Sequence, residues 1–117
     1  MATYTRDDLR DAVLQELGVL DVQTDPTPEE AKRGTARCQQ QLEYLYDQGL
    51  IPFDLDGEIP ARYFVPLTQF IAYALALPYG VTNRAQALAS NSQGAMVALS
   101  KLKAGRYMGE AQQAEYF

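Results

Sequence analysis

The residues best placed to do chemistry are carboxylates. Asp54, Asp56 and Glu58 alternate along one polar turn, Asp7 adjoins Asp8, and Glu29 adjoins Glu30. Alternating acids are what a calcium loop uses. An EF-hand takes ligands from positions 1, 3, 5 and 12 and needs glycine at position 6. Counted from Asp54, Gly57 falls at position 4 and position 12 is Val65. The turn therefore reads as solvated, with acids that help start a helix, and no metal is expected. Two acids flanking a cleft can hydrolyse a glycosidic bond, but both adjacent pairs sit where helix starts favour negative charge. The chain has no histidine, which removes the usual general base and zinc ligand. It also leaves the single cysteine, Cys38, without a base to activate it. Neither a Walker-type lysine loop nor a dinucleotide-binding glycine fingerprint occurs. The expectation is a protein with no enzymatic activity and no cofactor.

Charge excludes a second class. Lys and Arg number 10 against 15 Asp and Glu, for a net charge of −5. The nearest approach to a basic cluster is Lys101, Lys103 and Arg106. Affinity for nucleic acid comes largely from a basic face that neutralises phosphates, so gripping DNA is not expected. One cysteine allows no intrachain disulfide and fits a reducing compartment. No basic-then-apolar leader is visible. The longest apolar run, Phe70 to Leu77, is far short of the roughly 20 residues of a membrane span.

A chain of 117 residues is one domain by default. Its folded surface should be roughly 6,000 Å² against about 19,000 Å² unfolded, enough burial for a core without disulfides or metal. Hydrophobic residues at 47% and charged residues at 21% are ordinary for a globular protein and argue against disorder.

The elements follow from caps and periodicity. Thr5 with Asp8 three residues on is an acidic capping box. It opens a helix with Leu9, Ala12, Val13 and Leu17 on one face, ended by Gly18. Thr27, Pro28 and Glu30 open a second helix, predicted to run to about Gln48. Its stripe is Ala31, Cys38, Leu42 and Leu45, which makes Cys38 a small core residue. Gly34 inside it weakens the helix or permits close packing. Leu50, Ile51 and Phe53 should anchor the following turn. Pro60 should open a short helical turn and Pro66 a separate, longer helix.

That third helix is apolar nearly all round and organises the chain. Phe64, Leu67, Ile71, Ala74, Leu75 and Pro78 form the main inward stripe, and Phe70, Tyr73 and Leu77 form a second face. Either the second face contacts a neighbouring subunit, or the whole helix is buried inside one bundle. After Gly80, Thr82 or Asn83 caps a last helix from about Arg84 to Lys103, lined by Leu88, Ser92, Ala95, Leu99 and Leu102. Gly94 and its Ala/Ser-rich surroundings allow close helix approach. The remainder, 104–117, mixes Gly105 and Gly109 with polar residues and with Tyr107, Met108, Tyr116 and Phe117. It either waits for a partner to order it or packs on its own domain. The predicted fold is all-α, a four-helix bundle-like domain over 1–103 with an extended C-terminal tail over 104–117.

In succession these segments resemble a family. YTRDDLRDAVLQELGVLD, TPEEA, GLIPFDLDGEIP and PLTQFIAYALALPYGV follow one another from Tyr4 to Val81, and the chain closes on AEYF. In that order and spacing it resembles the head–tail adaptor (connector) proteins of tailed bacteriophages. Single pieces carry little; their succession carries the resemblance. The resemblance implies a dodecameric ring beneath the portal protein, with a downstream tail or nozzle protein on the other face. It implies a C-terminal segment that reaches along the portal, which maps onto Arg106, Tyr107, Met108, Tyr116 and Phe117. The subunit contact would fall to Phe70, Tyr73 and Leu77. Such a protein is made in the host cytoplasm and ends in the neck of the virion, without membrane contact. Twelve copies at −5 each carry −60, so DNA would pass through an acidic lumen without specific binding. The competing expectation is a monomeric helical regulator or inhibitor that binds one protein.

Overall fold

The computed structural model describes residues 3–20, 26–55 and 57–116, with 105–116 as backbone alone. The order is β1 (Thr3–Tyr4), α1 (Arg6–Leu17), α2 (Pro28–Asp47), β2 (Ile59–Pro60), α3 (Ala61–Ala76) and α4 (Ala85–Tyr116). The fold is all-α and bundle-like, as the sequence predicts, with one two-residue β ladder.

The helix starts form as their residues dictate. At α1 the Asp8 N–H donates to Thr5 Oγ1 over 3.1 Å, and the Thr5 N–H donates to Asp8 Oδ2 over 3.0 Å. At α2 the same reciprocal pair joins Thr27 and Glu30, with Pro28 in the first turn. Each box satisfies two backbone donors that helix geometry leaves without partners. Gly18 ends α1 at φ +80, where a side chain would be strained, and its N–H turns back to carbonyls of Leu14 and Gln15. Leu20 folds back onto the core behind it, as do Leu50 and Ile51 behind α2.

α3 is the centre. It packs most extensively on α4 and then on α1, while α2 lies mainly against α1. Tyr63, Leu67, Ile71, Ala72, Leu75 and Ala76 of α3 join Leu9, Val13 and Leu17 of α1 and Leu88 and Leu99 of α4 in one core. Cys38, Leu42 and Leu45 add the inner stripe of α2. Thr68 is buried among them, and its hydroxyl donates to the Phe64 carbonyl over 2.8 Å, which satisfies it within the helix. β1 pairs antiparallel with β2, Thr3 opposite Pro60 and Tyr4 opposite Ile59. Tyr4 then stacks on Phe64 with ring centroids 4.1 Å apart. This ladder, which the sequence does not predict, fixes the entry into α3.

Two boundaries differ from expectation. Pro66 does not start a helix; it lies inside α3, which begins at Ala61. An internal proline costs about 3 kcal/mol or more, through a lost hydrogen bond and a ring clash. Here the bond lost would have ended on the Arg62 carbonyl, in the first turn of the helix. The first turn is held by Tyr63, 1% exposed, with Phe53 edge-on at 5.2 Å. Tertiary packing overrides the local preference.

The second difference is α4, which does not end near Lys103 but continues as helix to Tyr116, through Gly105 and Gly109. Between those glycines lie Arg, Tyr and Met, and after them Glu, Ala and Gln. Most are good helix formers, and a glycine costs only about 1 kcal/mol relative to Ala. The segment 104–116 is thus a helical extension. At 1.5 Å per residue a helix of 32 residues spans roughly 48 Å, which matches the long dimension of a molecule measuring 54 × 29 × 24 Å. That elongation explains a surface of 7485 Å², above the compact expectation.

α4 also brings charge to its neighbours. Neither α1 nor α2 has a basic residue in its last turn. Arg84 Nη1 lies 3.4 Å from where a Cβ on Gly18 would sit, and Lys103 Nζ lies 3.3 Å from the same point on Gly49. Each cation therefore stands at the negative end of a helix that lacks its own. Lys103, where the sequence predicts that its own helix ends, stands instead at the C-terminus of α2.

Candidate interaction surface

At 100° per residue, Pro66, Phe70, Tyr73 and Leu77 fall within about 60° of arc on the side of α3 away from Leu67 and Ile71. Their fates differ. Leu77 is 87% exposed and Tyr73 46%, whereas Phe70 is half-buried and packs against the core. The apolar strip open to solvent is therefore Tyr73 and Leu77, with Phe70 as its buttress and Arg62 and Gln69 along one edge. A groove of about 410 Å³ runs beside it, lined by Tyr73, Ala74, Ala76, Leu77, Val81, Thr82 and Ala85. It lies where α3 turns into α4, a turn closed by Gly80 at φ +68. Hydrogen bonds from Tyr79 N–H to the Leu75 carbonyl and from Val81 N–H to the Ala76 carbonyl hold that turn. Leu77 is thus presented on a fixed corner.

A second groove, of about 420 Å³, lies on α4 among Met96, Val97, Ser100, Lys101 and Ala104. Gly94 stands beside this face with no atom within 4 Å of where its Cβ would be. Among the described residues it permits no close approach. Gly34 does: a Cβ there would meet Arg10 Cγ at 3.1 Å and Leu14 Cδ1 at 3.4 Å, so α1 and α2 touch at this glycine. Val97, Val65, Tyr44 and Tyr46 are further exposed apolar or aromatic residues that sequence reasoning did not single out. Tyr44 and Tyr46 were legible, because both flank the Cys38–Leu42–Leu45 stripe without belonging to it.

Asp7, Asp8, Glu30 and Glu58 go to structural tasks. Asp8 and Glu30 close their caps. Asp7 pairs with Arg10 at 3.3 Å; Arg10 also meets Asp11 at 2.9 Å and donates to Thr35 Oγ1 over 3.4 Å. In the polar turn the Gly57 N–H donates to the Asp54 carbonyl, and Glu58 Oε2 accepts from Thr3 Oγ1 over 2.8 Å. Asp56 lies outside the described residues. Among the described residues no three His, Cys, Asp or Glu side chains gather as metal ligands would.

Cys38 is 4% exposed, and burial pushes its thiol from 9.0 up to about 11, against the partial opposition of Arg10 and Arg6. A thiol held so firmly protonated is a poor nucleophile. Tyr79 is also shifted upward by burial, with the Arg33 guanidinium 4.7 Å from its ring centroid. No described helix is long and apolar enough to cross a membrane.

For the C-terminal candidates, Arg106, Tyr107, Met108 and Tyr116 lie on the helical backbone of α4, and their side chains are outside the description. Phe117 lies outside the described residues. The chain matches no protein-family model, no curated protein and no solved structure.

Proposed function

We propose that this chain is a head–tail adaptor of a tailed bacteriophage, a ring component with no catalytic role. It would link the portal protein to the next tail or nozzle protein and line the DNA exit channel. One observation carries the reading: the most deeply packed helix of the bundle ends in an apolar corner, Tyr73 and Leu77, that the bundle leaves uncovered. A large aliphatic side chain at 87% exposure, continuous with Tyr73 and an apolar groove, fits an assembly contact. A contact between two different surfaces of identical copies closes into a ring when the rotation permits. The succession of segments from Tyr4 to Val81 supports the family, and the helical extension of α4 supports a reaching C-terminal arm.

The test is to mix the purified protein with portal dodecamers and image the product. A twelve-fold ring stacked on the portal is expected. Monomers that ignore the portal and bind some other single protein with 1:1 stoichiometry would overturn the proposal in favour of a regulator. Removal of 105–117 should abolish docking while the rest of the bundle stays folded. At low salt the assembled ring should not retain DNA, because its lumen is acidic.

A further inference from the structure

We draw no further inference here: the strongest candidate, the pocket of about 210 Å³ that Leu14, Val19, Glu30, Arg33 and Tyr79 line at the start of α2, sets a guanidinium over a tyrosine ring, but the Tyr79 hydroxyl, without a partner among the described residues, is itself sealed from solvent, and nothing among those residues shows what would fill the pocket.

Discussion

The two sides of α3 have the same chemistry and opposite fates. Leu67 and Ile71 are fully buried on one side, while Tyr73 and Leu77 stand in solvent on the other. Burying a leucine or isoleucine contributes about 1.5–3 kcal/mol. The inner side collects that gain from α1 and α4, and the outer side forgoes it in the isolated chain. An apolar run therefore says that a helix has two apolar sides; only the packing says which of them the chain itself covers.

The largest way to sharpen this contrast is on the inner side. Leu67→Ala should remove about 2–5 kcal/mol of stability, since it opens a cavity where α1, α3 and α4 meet. Denaturant titration would show a lower midpoint at unchanged slope. A loss below about 1 kcal/mol would mean that the inner side is no better packed than the outer.

The next effect is read by pH. The folded Cys38 thiol lies above its ordinary value of 9.0, at about 11, so the native state holds its proton more tightly than the unfolded chain. That contribution is fully present below pH 9 and is lost as pH rises through about 11. At 1.36 kcal/mol per pH unit the loss is on the order of 2–3 kcal/mol. The quantity to measure is the difference between the wild type and Cys38→Ala, in which every other ionisation cancels. The variant should lose stability less steeply above pH 9. Parallel curves would show that Cys38 is accessible in the folded protein.

The inner side was legible because its signals are local. Capping boxes at Thr5 and Thr27 use residues three apart, and the Leu67–Ile71–Leu75 stripe repeats at helical spacing. What stayed hidden depends on partners distant in sequence. Pro66 reads as a helix start until Tyr63 is seen buried ahead of it. Arg84 reads as the start of the last helix and Lys103 as its end until the fold lays them at the ends of α1 and α2. Phe70 and Leu77 share a face in sequence, yet one packs on the core and the other does not. The exposed corner was half legible: periodicity supplied the face, and only the fold separates its buttress from its tip.

A smaller contrast lies between two glycines in helix interiors. Gly94→Ala should stabilise by about 0.5–1 kcal/mol, because the added methyl meets nothing and the helix gains propensity. Gly34→Ala should forfeit that gain. Its methyl meets Arg10 Cγ at 3.1 Å, and Arg10 is held by Asp7, Asp11 and Thr35. Thermal melts of the two variants decide it. Equal stabilisation would mean that α1 and α2 part easily at this point.

The smallest expected effect on the fold is the one that bears most on function. Leu77→Asp places a carboxylate on a side chain already 87% exposed, so monomer stability should change by no more than about 0.5 kcal/mol. In an assembly the same carboxylate would be buried without a partner, a penalty of several kcal/mol. On the proposed assembly the variant should therefore melt like the wild type and fail to form rings on the portal. Phe70→Asp is the informative contrast. Phe70 packs against the core, so its substitution should lower monomer stability as well as assembly. If Leu77→Asp assembles normally, the outer face of α3 is not the subunit contact. If it unfolds the monomer, the corner is part of the core, and the division of α3 into two sides fails.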